Sequence, residues 1–380
     1  MNSSIHTAQI SDILLKGRMC ALKIGRRVRS TFWHHPPSQM ANAPSDIKQR
    51  GIIGLANLGN TCYMNAAIQA LRHCPEWTMF CKKGGKLEEH LKDRESNPGK
   101  ITLGYQDLIQ SIWAGTGPAY VKPMGFFEQL RQVVAGGIYE DFIRRTPQDA
   151  HEFLVWLMDQ MYMATQREVN IELRLPQTID PMIVEAVKGW KAAFEKQYSP
   201  LTDLIFGMMR IQYTCGNCAA IHNRWETFNV LKVPLVKNKA LMDCIRAEFE
   251  EEEIEDYLCE TCKQKSKTKK SASIWRLPKV LIVTLKRFTP FGTRDNTALN
   301  YDGKSITLSD VFSKESQEVT RNKSYSLFAT VDHHGHHMGG HYTAQCLNPV
   351  WKGWHLYDDE TAHEIQEPKF GVQTYVMMFR

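Results

Sequence analysis

The chain lacks the long apolar runs and terminal signals that would direct it into a membrane or out of the cell. No stretch comes near the roughly 18 consecutive apolar residues that a membrane-spanning helix needs. The N-terminus also lacks the charged start and apolar stretch of a signal peptide. Without an export signal, the ten cysteines are expected to be reduced thiols with metal-binding or catalytic roles rather than disulfides. We therefore expect a cytoplasmic or nuclear location and no membrane span.

Beyond its first 50 residues, the chain has no excess of either charge. Residues 1–50 contain eight lysines and arginines against two aspartates, and this difference equals the net charge of +6 of the whole chain. We predict that residues 1–50 form a basic, disordered arm and that the neutral body has no nucleic-acid-binding surface. An organelle-targeting peptide is the alternative for the arm, although Asp12 and the helix-poor second half fit it badly.

Hydrophobic spacing divides the rest of the chain into three parts. Residues 51–205 show mainly helical spacing, and residues 206–273 contain two Cys-x-x-Cys pairs. Residues 274–380 are dominated by strand patterns, such as the apolar run Val280–Leu285. With 43% hydrophobic residues, the chain can bury a sizeable core. The sequence predicts an α+β fold with a helical lobe, a zinc-bearing extension and a sheet lobe.

One cysteine lies where a glycine-containing turn meets a predicted helix. Asn60 and Thr61 are favoured N-cap residues, and apolar residues recur at helical spacing after Cys62. A thiol in the first turn lies at the positive end of the helix dipole, so we expect a lowered pKa for Cys62. A buried structural cysteine is the alternative, and this segment alone does not decide between them.

A histidine and two acids far along the chain supply the partners that a nucleophilic cysteine needs. His341 follows Gly339-Gly340, and Asp358-Asp359 end the segment that starts at Trp354. The order cysteine, distant histidine, acid is that of a papain-like thiol hydrolase. His341 would deprotonate Cys62 or hold it as an ion pair. In a strand, only one of the two adjacent acids can face the histidine well.

Five segments, in order, resemble the ubiquitin-specific protease family. They are Gly54–Asn65, Pro147–Phe153, Leu277–Phe288, Tyr325–Tyr342 and Trp354–Asp359. The resemblance covers about residue 51 to the end of the chain. It implies a papain-like fold with a thumb (51–205), zinc-ribbon fingers (206–273) and a palm (274–380). It also implies ubiquitin and ubiquitinated proteins as partners, and we expect a monomer.

The resemblance assigns further catalytic roles. The family pattern places the third triad member at Asp358, and Asp359 would replace it or shape the oxyanion site. Asn57 occupies the family's oxyanion position, where a carboxamide donates a hydrogen bond without adding charge. The backbone N–H of Cys62 is a second donor. A simple turn residue before Gly59 is the alternative for Asn57.

Two acids and two glycines are predicted to contact the substrate. Asp149 and Glu152 fall in the family segment whose acids meet the ubiquitin tail, and at a spacing of three they share a helix face. Capping of the helix by Asp149 is compatible with binding. Gly339 and Gly340 lack bulk, so a substrate chain can approach their backbone closely.

Four histidines crowd the segment before His341, namely His333, His334, His336 and His337. One interpretation is a metal site. We favour a mobile, solvated loop at the mouth of the cleft, because Gly335 and Gly339-Gly340 are close by and the segment offers no carboxylate or cysteine ligand.

Two Cys-x-x-Cys pairs predict one structural zinc ion. The ligands would be Cys215, Cys218, Cys259 and Cys262, since four thiolates form a closed tetrahedral site. A gap of 40 residues separates the pairs, and we attribute it to a longer hairpin between the two knuckles. A metal-free ribbon with four incidental thiols is the alternative.

An acidic run from Glu248 to Asp256 precedes a lysine-rich stretch from Lys263 to Lys270. The acidic run is interpreted either as a surface for a basic partner such as ubiquitin or as the solvated face of a helix.

Together these motifs predict a deubiquitinating thiol isopeptidase that cleaves after the C-terminal Gly-Gly of ubiquitin through a Cys62 thioester. The alternatives are a ubiquitin-binding scaffold with weak catalysis and a protease for a ubiquitin-like modifier.

Overall fold

The computed structural model describes most of the chain beyond residue 50. The described ranges are 21–23 (backbone only), 51–114, 119–174, 179–289, 293–316, 324–336, 339–350 and 352–380. Within the predicted N-terminal arm, strand β1 (Ala21–Lys23) pairs antiparallel with a strand at Glu172–Arg174. The remainder of the arm lies outside the described residues.

The thumb consists of helices with a few short strands. Its helices are α1 (Cys62–Arg72), α2 (Pro75–Cys81), α3 (Leu87–His90), α4 (Asn97–Trp113), α5 (Met124–Val134), α6 (Ala150–Thr165), α7 (Pro181–Phe194) and α8 (Thr202–Ile205). Its strands are β2 (Gly54–Leu55), β3 (Tyr120–Val121) and β4 (Glu172–Arg174). Side-chain capping determines where α4 begins, because Ser96 Oγ accepts a hydrogen bond from Gly99 N at 3.2 Å.

Helix α1 is the centre of the molecule, because all of its residues from Cys62 to Arg72 are buried. It packs against α6 on one side and against the palm strands on the other. The Arg72 guanidinium lies between the rings of Trp113 and Tyr357, 5.5 and 5.1 Å from their centroids. It also donates to the Gly51 carbonyl at 2.8 Å. These cation–π contacts join the thumb to the palm.

The palm is a seven-stranded sheet with the order β16-β15-β14-β13-β17-β10-β7. Its strands are β7 (Leu231–Val233), β10 (Leu281–Leu285), β13 (Leu327–His336), β14 (Gly339–Leu347), β15 (Trp354–Asp358), β16 (Thr361–Ile365) and β17 (Thr374–Phe379). All neighbours are antiparallel except β7 and β10. A small pair, β11 (Ile306–Thr307) and β12 (Ser324–Tyr325), lies beside the sheet. The apolar run predicted as a buried strand forms β10, and every residue of β10 is buried.

The fingers are two antiparallel hairpins in one sheet of order β6-β5-β9-β8. The strands are β5 (Gly207–Cys215), β6 (Ile221–Phe228), β8 (Glu252–Leu258) and β9 (Lys265–Arg276). The expectation of one longer hairpin between the cysteine pairs is wrong. After β6 the chain leaves the fingers, adds β7 to the palm, forms α9 (Leu241–Glu248) and returns as β8.

The acidic run is also not a helix face. It spans the end of α9 and strand β8, whose partner β9 carries the lysines. Glu253 and Glu251 pair with Lys267 and Lys269 at 2.7 and 2.8 Å. Because these pairs are exposed, each contributes little stability, but together they neutralise much of the run.

The α+β class predicted from the sequence is confirmed by this architecture. Within the described ranges, every helix is too short or too polar to cross a bilayer.

A close backbone contact fixes the thumb against the end of β15. Leu55 N donates to the Asp359 carbonyl at 2.7 Å. A Cβ atom added to Gly54 would lie 2.1 Å from the Glu360 carbonyl oxygen and 2.6 Å from that of Asp359. Only glycine therefore allows the 359–360 turn to dock on the segment that leads to Cys62.

We expect Gly54→Ala to lower the free energy of unfolding by about 1–3 kcal/mol, because two backbone segments must separate to admit the methyl group. Gly125→Ala is the matched control, since it lies in α5 with no atom within 4 Å of the added Cβ. It should be neutral or stabilising by up to about 1 kcal/mol. Urea unfolding of both variants measures this, and equal stability of the two would contradict the steric account.

Candidate active site

Cys62 is the first residue of α1, and the turn before it is organised by Asn57. Asn57 Oδ1 accepts from the N–H groups of Gly59 and Thr61 at 2.9 and 3.1 Å. Gly59 and Asn60 have φ values of 107° and 56°, which give the sharp turn. The side-chain oxygen of Asn57 therefore acts as that of a turn residue, as the alternative interpretation expected. Its side-chain nitrogen has a different hydrogen-bond partner.

The expectation that the Cys62 thiol has a lowered pKa is wrong for this structure. Burial raises the pKa of Cys62, and the nearby Asp359 carboxylate raises it further. The backbone N–H groups of Tyr342, Tyr63 and Cys62 act in the opposite direction but do not compensate. With only 8% of Cys62 exposed, loss of hydration outweighs the helix terminus.

His341 and Asp358 form the acid–imidazole pair that the sequence predicted. His341 Nε2 lies 2.6 Å from Asp358 Oδ1. Because an ionised carboxylate only accepts, Nε2 carries the proton and Nδ1 is the basic atom. Across the described residues, no hydrogen bond joins this imidazole to the Cys62 sulfur. The predicted acid and base are thus paired with each other, while the predicted nucleophile is not joined to them by a hydrogen bond in this structure.

Asp359 has a different role from its neighbour. Asp358 ends β15, whereas Asp359 begins a turn with φ 44°, so the two carboxylates reach different partners although one oxygen of each lies within 4.8 Å of the other and of a His341 nitrogen. Asp359 accepts from Asn57 Nδ2 at 2.8 Å and from Asn65 Nδ2 at 2.7 Å. Burial raises the pKa of Asp359, and the two carboxamides oppose that effect. Asp359 therefore fixes the amide that was predicted to serve the oxyanion.

Sequence reasoning missed Asn65 and Glu360. Asn65 is a buried carboxamide three residues after Cys62, on a helix whose other polar side chains, Gln69 and Arg72, come later. A polar residue this close to the nucleophile was the available signal. Glu360 Oε1 accepts from Asn57 N at 2.8 Å. Nothing in the sequence pattern pointed to Glu360, because its partner is about 300 residues away.

A cavity of about 250 Å³ opens beside the thiol, between thumb and palm. Its lining includes Cys62 and the four predicted substrate residues, but not His341, Asp358, Asn57 or Asp359. The full lining is Asn60, Cys62, Tyr63, Pro147, Gln148, Asp149, Glu152, Phe288, His333, Gly339, Gly340 and Tyr342. The predicted cleft between the two lobes is thus present, with Cys62 on one wall and the Gly339-Gly340 backbone on the other.

The two acids predicted to contact the substrate differ in how firmly their side chains are held. Asp149 caps α6 by accepting from His151 N and Glu152 N at 2.7 and 3.0 Å, and it accepts from the Tyr375 hydroxyl at 2.7 Å. Glu152 is exposed on the next turn of the same helix face. Partial burial and the charge of Asp149 raise the pKa of Glu152. Asp149 is held rigidly, and Glu152 is free to reorient toward a ligand.

The two predicted glycines also differ. A Cβ added to Gly340 would lie 2.3 Å from His333 Nε2, whereas one added to Gly339 would meet no atom within 4 Å. His333 is buried beneath the Gly340 backbone, and burial lowers its pKa to about 4. Residues 333–336 belong to strand β13 rather than to a loop, and His337 lies outside the described residues.

Two further cavities extend the cleft toward the fingers. One of about 430 Å³ shares Asp149, Glu152 and Phe288 with the cleft at Cys62. The next, of about 420 Å³, shares His151 and Lys232 with the second cavity. Glu226, Glu248, Glu250 and Glu252 line this outer end. These overlapping cavities lead from the fingers to Cys62, with an excess of acids at the outer end and a balance of acids and bases in the middle.

The four finger cysteines converge, and their ligand atoms all lie within 4.8 Å of one another. Cys215 Sγ and Cys262 Sγ are 3.9 Å apart, and Cys218 Sγ and Cys259 Sγ are 3.7 Å apart. Tetrahedral zinc–thiolate bonds of about 2.3 Å place sulfur atoms about 3.8 Å apart. The group can hold a metal ion.

The two cysteine pairs occupy equivalent knuckles. Ala219 and Lys263, each following the second cysteine of its pair, have φ 57°. Each donates its N–H to the carbonyl of the first cysteine, at 3.0 and 2.9 Å. The repeated geometry aims both pairs of sulfur atoms at one point between the hairpins.

Comparisons with known proteins agree with this geometry. Residues 53–379 match the family model described as ubiquitin carboxyl-terminal hydrolase. Ubiquitin carboxyl-terminal hydrolase 2 of Rattus norvegicus is 29% identical over 344 residues, which cover 87% of this chain and 54% of the relative. The enzyme of that name from Gallus gallus is 30% identical over 336 residues, covering 85% of this chain and 91% of the relative.

A solved structure supports the fold. The SAGA Ubp8/Sgf11/Sus1/Sgf73 DUB module bound to ubiquitin aldehyde matches with a TM-score of 0.68 at 18% identity, covering 90% of this chain and 72% of that chain. The chain spans about half the length of the first curated relatives that it matches. The predicted resemblance to ubiquitin-specific proteases is confirmed, and the chain belongs to the ubiquitin carboxyl-terminal hydrolase family.

Proposed function

We propose that this protein is a deubiquitinating thiol isopeptidase that hydrolyses the bond after the C-terminal Gly-Gly of ubiquitin. The observation that carries the proposal is the 2.6 Å pair of Asp358 and His341, next in the chain to Tyr342, whose backbone N–H bonds the sulfur of Cys62 in the cleft. The family match supports the substrate class.

The chemistry follows from the atoms in place. His341 Nδ1 takes the proton of Cys62, whose thiolate attacks the carbonyl carbon of the last ubiquitin glycine. The Cys62 N–H and the second amide proton of Asn57 Nδ2 stabilise the oxyanion. His341 gives its proton to the departing lysine amine. Water, deprotonated by His341, then hydrolyses the thioester and restores the thiol.

Substrate binding must complete this arrangement. The raised pKa of Cys62 and its missing bond to His341 describe a resting thiol. A tail that fills the cleft excludes water and brings the ion pair together, as lid and loop movements do in other enzymes. Gly339, Gly340 and Tyr63 line the cleft, and glycines there leave room for the backbone of an extended tail. Glu152 in the cleft and the glutamates at the outer end favour an arginine-bearing tail.

The same resting thiol favours a second candidate, a ubiquitin-binding scaffold with weak catalysis. A protease for a ubiquitin-like modifier is the third, since the cleft selects for small C-terminal residues rather than for one modifier. Reactivity with matched probes separates the three.

The proposed metal ion is one structural zinc held by Cys215, Cys218, Cys259 and Cys262. The sulfur spacing suits zinc, and four thiolates leave no open coordination position, so the ion cross-links the hairpins rather than taking part in the reaction. We also propose a monomeric protein in a reducing compartment, since free thiols form both sites.

A ubiquitin probe with a thiol-reactive C-terminus is expected to form one covalent adduct with the protein. Cys62→Ala should form none, because it removes the proposed attacking sulfur. Intact-mass spectrometry measures the adduct, and a probe built on a ubiquitin-like modifier serves as the specificity control. Ubiquitin binding without an adduct would support the scaffold, whereas reaction with the other modifier alone would refute the substrate assignment.

Asp359→Asn should lower the pKa of Cys62, because a negative charge that opposes thiolate formation is removed. At neutral pH the free enzyme would then contain more thiolate, so alkylation of Cys62 by iodoacetamide should become faster and its pH midpoint lower. Peptide mass spectrometry resolves Cys62 from the other cysteines. Ubiquitin cleavage should nevertheless fall at least about ten-fold, because Asn57 loses its anchor. An unchanged alkylation midpoint would contradict the electrostatic argument.

Cys218→Ser is expected to lose the bound zinc, because three thiolates no longer close the site. Metal analysis of the purified protein should fall from one equivalent to near zero, and ubiquitin binding should weaken. Cys244→Ser is the control, since Cys244 is buried in α9 outside the cluster and its variant should keep the metal. Full zinc content in Cys218→Ser would show that the four-cysteine cluster is not the zinc site.

A further inference from the structure

His334 and His341 occupy directly opposite positions on neighbouring strands. The register of β13 and β14 pairs His334 with His341. Side chains of directly opposed residues project from the same face of an antiparallel ladder, with Cβ atoms about 4.5–5.5 Å apart. Two imidazoles therefore lie side by side at the mouth of the active site, and both are accessible to solvent.

A carboxylate completes this group. His334 Nε2 lies 3.3 Å from Thr343 Oγ1, so its ring leans toward the residue two positions beyond His341 on the same face. Since Ala344 pairs with Tyr357, the next residue of β15, Asp358, lies beside Thr343. Asp358 Oδ1 is already 2.6 Å from His341 Nε2. His334, His341 and Asp358 thus surround Thr343 from three strands.

We propose that His334, His341 and Asp358 form a second metal site, which binds a divalent transition ion such as Zn²⁺ and thereby inhibits the enzyme. Two imidazoles and one carboxylate are a donor set for zinc and related ions, with the fourth position left to water. The sequence argument against a metal at these histidines was the missing carboxylate, and the fold supplies it from β15.

Metal binding requires the ligands to move. Tetrahedral ligation at about 2.0–2.1 Å places two ligand atoms about 3.3 Å apart. The present contact of 2.6 Å between His341 and Asp358 must open by about 0.7 Å for an ion to replace the shared proton, which passes to solvent. His334 must rotate away from Thr343 to join them, because in this structure the group of close ligand atoms consists of His341, Asp358 and Asp359.

Inhibition follows because the ion takes the same imidazole that the reaction uses. With Nε2 ligated, His341 loses its orienting bond to Asp358 and is held toward His334, away from Cys62. The binding step stands on geometry alone, while its inhibitory effect rests on the proposed isopeptidase function. The four-cysteine site is separate, and its ion remains bound throughout.

Metal binding is tested first without reference to activity. Co²⁺ is titrated into zinc-loaded Cys62→Ala protein, whose lack of the nucleophilic thiol leaves only nitrogen and oxygen donors at the active site. We expect one equivalent with the visible spectrum of an N/O-ligated ion and no sulfur-to-cobalt charge transfer, which would report exchange at the cysteines. Adding His334→Ser should weaken binding at least about ten-fold.

His336→Ser is the matched control. His336 lies on the same strand two residues further on and pairs with Gly339 rather than with His341. In the Cys62→Ala background it should leave the Co²⁺ affinity unchanged. Equal affinities for the His334 and parent proteins would overturn the proposal, as would an equal loss in the His336 variant.

Inhibition is tested with Zn²⁺ on the enzyme that retains Cys62, using a fluorogenic ubiquitin substrate. His334→Ser should need at least about ten-fold more Zn²⁺ for half-inhibition than wild type, with the rate in the absence of added metal unchanged. Equal inhibition of both would show that zinc acts through the thiol instead. If the protein cleaves no ubiquitin, the Co²⁺ titration still decides the metal site, so the two proposals fail separately.

Discussion

The active site depends on one half-buried carboxylate held between two carboxamides. Asp359 accepts hydrogen bonds from Asn57, in the turn before the nucleophile, and from Asn65, one turn into α1. Hydrogen bonds to an ionised acceptor are stronger than neutral ones, and a buried carboxylate without them is costly. These hydrogen bonds therefore fix the position of the palm relative to the thumb. The adjacent residue, Asp358, is aligned with His341 as a consequence.

That arrangement has an electrostatic cost for the nucleophile. The same negative charge that orders Asn57 opposes ionisation of Cys62, and burial acts in the same direction. The helix terminus offers its N–H groups, yet desolvation of a nearly buried sulfur is the larger effect. The structure orders Asn57, the predicted oxyanion donor, while the raised pKa of Cys62 favours the protonated thiol. Such a thiol resists adventitious oxidation, because oxidants attack thiolates.

The sequence predicted the residues whose side-chain chemistry defines the site better than the residues that only position them. The order Cys62, His341, Asp358 and the two Cys-x-x-Cys pairs are recognisable because their chemistry demands those residue types. Glu360 and the register of His334 could not be found, since both depend on contacts between distant segments. The Cys62 pKa was mispredicted because the helix dipole is a local property whereas burial is a global one. Strand β7 was assigned to the fingers because no local pattern shows that its partner, β10, follows 50 residues later.

The placement of β17 sets the order in which the chain can fold during synthesis. This strand lies between β13 and β10, all of its residues are buried, and it is the last of the seven palm strands to be translated. The halves of the palm that carry His341 and β10 share no direct pairing without it. The ribosome must therefore release residues 374–379 before the sheet can close. The fingers, whose four strands end at Arg276, can bring their four cysteines together well before that moment.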